Sequence, residues 1–235
     1  MVMLVDSHCH LQEIKNYEIK DVLPVVCGYS HSSNVKAVEI ARRLNVPFVL
    51  GIAPQTAIKL PDLENLDEWI EYIKKQKPNA IGECGLDYHW AKDKKDIEKE
   101  EITFYRMMEL AEEMGLPLVI HARQATRDVI DALTIKKFPK RVMFHFFSGK
   151  MADAEWAVSN NGLISITPLH SKDRKEAISK VPLENLVVET DAPYVGRTPE
   201  DVKDAINYIA EIKKLDFEVV AKQTAKNALE FLNFK

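Results

Sequence analysis

The sequence predicts an α/β fold: a single (β/α)8 barrel of the TIM type that spans 1–235 as one domain. Three observations predict it: short apolar runs that recur along the chain, segments of helical periodicity between them, and a length of 235 residues, which suits such a barrel. The runs are nearly continuous in apolar residues, as is typical of parallel strands buried on both faces. A doubly wound open sheet is the alternative, but no glycine-rich turn for a dinucleotide follows the first run.

Eight apolar runs are the predicted strands, and eight is the number that closes a (β/α) barrel. In order they cover 2–6, 22–28, 47–52, 79–83, 117–122, 141–146, 162–166 and 186–190. Helices are predicted over 33–45, 63–75, 96–114, 124–137, 150–160, 171–180, 199–214 and 217–232. In the first helix Val35, Val38 and Ala41 lie near one face, and Gly115 follows the longest helix at the position of a C-terminal cap.

Composition and charge limit the classes of function. The net charge of −4 gives no broad attraction for long DNA or anionic membranes, although a nucleic acid held locally through a metal stays compatible with it. Three cysteines without a CxxC pair indicate free thiols, and no run has the length of a membrane span or the pattern of a signal sequence. We therefore expect a cytoplasmic protein with no membrane association and no stable protein partner.

The histidines gather where predicted strands end. All seven follow an apolar run, so in a barrel they lie at the face that carries catalytic residues. Together with two acids at strand ends, the candidate ligands are His8, His10, Glu83, His121, His145 and Asp191. Four imidazoles and two carboxylates at one mouth are the inventory of a two-metal site. Taken singly, each residue also has an ordinary interpretation, such as His145 as a core histidine. Glu189 is the alternative to Asp191 as the important acid.

Five short motifs stand in order along the chain. They are DSHCH, GECGLDY, LPLVIHAR, FHFFSG and ETDAPYV, and they run from Val5 to about Val195. This set resembles the TatD family of metal-dependent hydrolases, which are commonly described as deoxyribonucleases and belong to the amidohydrolase-like barrels. The resemblance implies that the same six residues are metal ligands, with Glu83 bridging two ions.

On this basis we assign the six residues to two divalent ions. The two histidines of DSHCH and Asp191 hold one ion, the histidines of LPLVIHAR and FHFFSG hold the other, and Glu83 bridges them. Imidazoles suit zinc, while manganese and magnesium are the alternatives. Asp191 is the expected acceptor of a proton from the attacking water, so Glu83 and Asp191 are the expected catalytic residues.

Three further positions each have two interpretations. Arg123 either holds a phosphate oxygen of the substrate or pairs with an acid of the next helix. His89, together with Tyr88, either contacts a base or phosphate of the substrate or lines a loop. Asp6 either orients a neighbouring imidazole or has a plain strand-end role.

Departures from the family pattern lie in the rim loops 51–56, 167–173 and 196–202, and they bear on the substrate. The loop GIAPQT has no histidine where the family usually has GxHP. The leading prediction is a metal-dependent phosphodiesterase that cleaves nucleic-acid ends, of DNA or RNA. An amidohydrolase-like enzyme for amides or esters is the alternative, although no lysine ends the fourth strand, and a non-catalytic metal-binding scaffold is the third interpretation.

Overall fold

Eight parallel strands follow one another in chain order around the barrel. The computed structural model describes residues 2–235, and in it each strand pairs with the next along the chain. The strands are β1 (Leu4–Cys9), β2 (Val22–Cys27), β3 (Phe48–Leu50), β4 (Ala80–Asp87), β5 (Leu118–Arg123), β6 (Val142–Phe144), β7 (Leu163–Ile166) and β8 (Leu186–Val188). The predicted (β/α)8 barrel is confirmed, and every predicted strand overlaps an observed one.

From β2 onward α-helices separate the strands and follow the last of them, whereas the connection from β1 to β2 contains a 3-10 turn at Leu11–Glu13. Within residues 2–235 the α-helices are α1 (His31–Leu44), α2 (Pro54–Ala57), α3 (Leu66–Gln76), α4 (Lys94–Met114), α5 (Thr126–Lys136), α6 (Met151–Ser159), α7 (Lys172–Lys180), α8 (Val202–Lys213) and α9 (Phe217–Phe231). Helix α1 begins two residues before its predicted start because the hydroxyl of Ser30 accepts the N–H of Ser33. Helix α8 begins later than predicted because 199–201 form a 3-10 turn. None of these helices is long and apolar enough to cross a membrane.

The apolar core has one part inside the barrel and another between the strands and the helices. The inner part contains Val5, Val25, Val49 and Val187, and Phe231 at the end of α9 packs against the same cluster. The outer part contains the buried faces of the helices. Because apolar side chains fill one end of the barrel, the polar groups of the interior collect at the carboxyl ends of the strands.

The barrel closes between β1 and the segment that follows β8. The N–H of Asp191 donates to the carbonyl of His8 (3.0 Å), and the N–H of His10 donates to the carbonyl of Ala192 (2.8 Å). We call these contacts the β1–β8 seam. These hydrogen bonds hold the backbone of His8 and His10 next to the backbone of Asp191.

Asp6 lies in this seam and contacts no imidazole through a hydrogen bond. Its carboxylate accepts the backbone N–H (2.9 Å) and the hydroxyl of Thr190, and also the backbone N–H of His8 (3.2 Å). Burial raises the pKa of Asp6 to about 8, although these hydrogen bonds oppose the rise. Strand β1 has a register irregularity between Asp6 and Cys9, which breaks the regular alternation of faces. The prediction that Asp6 orients an imidazole is wrong, and its role is at the strand end.

Candidate metal centre

The structure brings six predicted residues into one group at the carboxyl ends of the strands. This group, the candidate centre, consists of His8, His10, Glu83, His121, His145 and Asp191. His8 lies on β1, Glu83 on β4 and His121 on β5. His10 directly follows β1, and His145 and Asp191 lie just beyond β6 and β8. All are buried except His121, which is half-buried. The barrel therefore gathers side chains that are far apart in the sequence.

The first half of the candidate centre lies beside the β1–β8 seam. Nε2 of His8 lies 3.3 Å from Nε2 of His10 and 3.6 Å from Oε2 of Glu83. Oδ1 of Asp191 lies 3.4 Å from Nε2 of His10. Nitrogen and oxygen donors at these separations can face one shared cation.

The second half lies on the neighbouring strands β4 and β5 and just after β6. Nε2 of His145 lies 3.1 Å from Nδ1 of His121 and 3.0 Å from Oε2 of Glu83. The potential ligand atoms of Glu83, His121 and His145 lie within 4.8 Å of one another, and so do those of His8, His10 and Glu83. Glu83 thus belongs to both halves.

Two groups of the candidate centre, Glu83 and His8, have pKa values that favour the binding of a divalent cation. Burial on its own would raise the pKa of Glu83, but the imidazoles of His121 and His145 hold it well below its usual range. Burial and the neighbouring imidazole of His145 lower the pKa of His8 well below the ordinary histidine value. An ionised carboxylate and a neutral imidazole are the forms in which these side chains bind metals. Burial on its own would lower the pKa of His10, His121 and His145, but hydrogen bonds and charges of the neighbouring carboxylates raise it.

Two of the imidazoles are anchored through the nitrogen that points away from the candidate centre. Nδ1 of His10 lies 2.7 Å from the carbonyl oxygen of Cys27. Nε2 of His121 lies 2.8 Å from Oδ2 of Asp87. Contacts of this kind fix the ring and leave the inner nitrogen available to a metal.

The sequence did not identify two polar residues that contact the candidate centre. Asp87 anchors His121, and Nε2 of Gln55 donates to Oε1 of Glu83 (3.3 Å). Asp87 could have been found from its even spacing from Glu83, because residues at even spacing on one strand point to the same face of the sheet. Gln55 lies in a rim loop, where no periodicity indicates the direction of a side chain.

Glu189, the alternative acid, lies behind the candidate centre. Its Oε1 is 3.5 Å from Nδ1 of His145, on the side of the ring away from Glu83, and it accepts the N–H of Phe146 (2.6 Å). Asp191 instead lies within the group of potential ligands. Glu189 therefore contacts the outer side of the His145 ring, whereas Asp191 is in place to bind a cation.

The predicted substrate contacts lie around the mouth. Arg123 is exposed at the end of β5, and the nearby acids of α5 are occupied by other groups: Asp128 accepts the hydroxyl of Tyr88 (2.7 Å), and Asp131 pairs with Arg127 (2.9 Å). The interpretation of Arg123 as an ion pair with that helix is wrong for the described residues. His89 is also exposed, with its ring centroid 5.0 Å from that of Trp90.

A parallel barrel with imidazoles and carboxylates grouped at the carboxyl ends of its strands is typical of metal-dependent hydrolases. Comparison with known proteins gives the family. The model of the TatD related DNase family matches residues 5–233. The chain belongs to the TatD family.

Individual relatives agree with this assignment. The metal-dependent hydrolase YabD of Bacillus subtilis is 32% identical over 96% of this chain and 97% of its own length. The human protein named deoxyribonuclease TATDN3 is 28% identical over 97% of this chain and 94% of its own length. The crystal structure of a TatD family hydrolase from Entamoeba histolytica, 19% identical, covers 98% of both chains with a TM-score of 0.85, which shows the same fold.

Proposed function

We propose that this metal-dependent hydrolase is a phosphodiesterase that cleaves nucleic-acid ends, and that DNA is its substrate. The observation that carries the proposal is the pair of ligand groups that share Glu83. Two cations held side by side suit in-line displacement at phosphorus. The name of the human relative, a deoxyribonuclease, supports the same substrate class, and RNA is the second candidate.

The proposed ligands divide between the two halves of the candidate centre. One ion would be held by His8, His10 and Asp191, the other by His121 and His145, and Glu83 would contribute to both. The four imidazoles favour zinc, with manganese and magnesium as alternatives. When bound, such ions supply Lewis acidity to a phosphoryl oxygen and make a nearby water more acidic.

Asp191 is the proposed acceptor of the proton from the attacking water. Its side chain is 10% exposed, whereas that of Glu83 is 4% exposed, so Asp191 lies nearer the open side of the candidate centre. Glu83 stays ionised between the imidazoles and joins the two halves. Asp87 keeps the ring of His121 oriented through its hydrogen bond.

The proposed substrate face combines a cation with exposed aromatic rings. Arg123 is exposed and suits a phosphate oxygen. Tyr194 is 60% exposed with its ring centroid 5.3 Å from that of His10, and Trp90, beside His89, is 48% exposed. Exposed rings near a phosphate-binding cation suit the bases of a single strand. The net charge of −4 favours such a local contact over binding along a duplex.

The test compares wild type, Glu83→Ala and the control Glu101→Ala, which changes an exposed glutamate of α4. Bound metal is measured by elemental analysis, and hydrolysis is measured on a short single-stranded DNA. We expect about two ions per chain and DNA cleavage in wild type and control, and loss of both in Glu83→Ala. Metal retained in all three proteins, or cleavage of amides and carboxylic esters but no phosphodiester, would contradict the proposal.

Two further proposals concern the whole chain. We infer that 1–235 form one hydrolase domain, because the family match extends over 5–233. We also infer a cytoplasmic location. Cys9, Cys27 and Cys84 are buried free thiols, which suits a reducing compartment.

A further inference from the structure

Gln55 lies in the rim loop 51–56, and neighbouring backbone fixes that loop. The N–H of Ala53 and the hydroxyl of Thr56 each donate to the carbonyl of Tyr29 at 2.9 Å. Tyr29 follows β2, two positions after Cys27, whose carbonyl anchors His10. The loop is therefore tied to the same edge of the barrel as the candidate centre.

The amide of Gln55 reaches the carboxylate of Glu83 from this loop. Its Nε2 donates to Oε1 of Glu83 at 3.3 Å. The other atom of the amide, Oε1 of Gln55, is buried and has no hydrogen-bond partner within residues 2–235. Most buried polar atoms of side chains are hydrogen-bonded, so the surrounding protein satisfies only part of this amide. The contact with Glu83 is the one hydrogen bond of the Gln55 side chain in the described part of the chain.

The hydrogen bond makes the two oxygens of Glu83 different. Oε1 faces the amide of Gln55, while Oε2 lies 3.0 Å from His145, 3.6 Å from His8 and 3.8 Å from His121. The two oxygens are chemically equivalent, so a half-turn of the carboxylate restores the same arrangement, whereas a smaller rotation breaks the hydrogen bond and turns the second oxygen away from the imidazoles. Gln55 therefore fixes the plane of the carboxylate, with one oxygen directed at both halves of the candidate centre.

We propose that Gln55 is a positioning residue that sets the metal affinity of both halves by holding Oε2 of Glu83 toward the imidazoles. The proposal rests on the ligand assignment under the proposed function. Its basis is specific to this chain, because the loop places a methyl group at Ala53, where the family pattern GxHP has histidine. Partners that orient a metal-binding carboxylate change metal affinity by about 10- to 100-fold.

The experiment compares Gln55→Met, which keeps the length of the side chain without a donor, with Gln55→Asn, which keeps the amide but shortens its reach. Gln76→Met, at the half-buried last residue of α3, is the matched control. Metal-depleted proteins are titrated with zinc in a calorimeter, after circular dichroism has established that each variant is folded. We expect both Gln55 variants to bind zinc about 10-fold more weakly or worse at each step, with the control unchanged.

A wild-type zinc affinity in Gln55→Met, or a loss confined to one binding step, would overturn the proposal. The absorption spectrum of cobalt-loaded protein gives a second readout, because it reports the arrangement of ligands around the ion. We expect the Gln55→Met spectrum to differ from wild type and the Gln76→Met spectrum to match it. Neither readout uses nucleic acid. Failure to cleave DNA would therefore contradict the nuclease proposal without changing what the zinc and cobalt measurements say about Gln55.

Discussion

Glu100 on α4 is a buried carboxyl group behind the candidate centre, and its charge carries a measurable cost. The residue is fully buried, its Oε2 accepts the N–H of Asp87 (2.9 Å), and its Oε1 has no hydrogen-bond partner within residues 2–235. Burial raises its pKa from 4.5 to about 7; the hydrogen bond from Asp87 opposes this rise, and the charge of Asp87 adds to it. Replacement by glutamine keeps the acceptor for the N–H and removes the ionisable proton.

The sign of the effect follows from the two pKa values. Between pH 4.5 and about 7 the unfolded chain has lost the proton of Glu100 while the folded chain keeps it. The free energy of unfolding therefore falls as the pH rises through this window and levels off above it. By pH 8 wild type loses about 3 kcal/mol of unfolding free energy in this way, and Glu100→Gln does not.

Urea unfolding of metal-depleted protein at pH 5 and pH 8 measures this difference. Wild type, Glu100→Gln and Glu101→Gln are compared, the last changing the exposed neighbour on the same helix. We expect the advantage of Glu100→Gln over wild type to grow by about 2 to 3 kcal/mol between the two pH values. An advantage that is the same at both pH values, or equal growth in Glu101→Gln, would refute the reasoning.

Three other changes have defined outcomes. Asp87→Asn removes the charged acceptor of His121, and zinc titration should show about 10- to 100-fold weaker binding at one step only; equal loss at both steps would contradict this. Gly85→Ala places a Cβ 2.0 Å from the backbone oxygen of His121 at a φ of +141°, so circular dichroism should show an unfolded or much destabilised chain rather than wild-type melting. Phe104→Ala empties a buried site in α4 and should lower the free energy of urea unfolding by about 3 to 5 kcal/mol; a change below 1 kcal/mol would mean that the site collapses.

The strands and the convergence of the candidate ligands could be predicted because both depend on regular features of the sequence. A continuous apolar run predicts a parallel strand, and the end of each strand locates its last residues at the mouth. His121 and Asp191 were placed in this way without knowledge of any contact. The same reasoning found the general position of Arg123, although the occupied acids of α5 could be identified only in the structure.

The contacts around the candidate ligands could not be predicted because they depend on irregular backbone. Alternation placed Asp6 beside the imidazoles, but the register shift between Asp6 and Cys9 places its carboxylate on Thr190 instead. A second shift between Ile81 and Cys84 precedes the part of β4 that carries Asp87. Helix α2 has only four residues, too few for a periodic signal, so the contact of Gln55 with Glu83 could not be predicted.

The β1–β8 seam makes the two halves of the candidate centre topologically unequal. Glu83 and His121 lie on β4 and β5, and His145 follows β6, so an ion held there links three consecutive strands. An ion held by His10 and Asp191 links the two ends of the sheet, beside the hydrogen bonds that join them. It would act as a noncovalent cross-link that closes the ring, and its binding energy would add to the stability of the closed barrel. Occupancy of that half is thereby coupled to closure of the ring, whereas occupancy of the other half stabilises strands that are already neighbours.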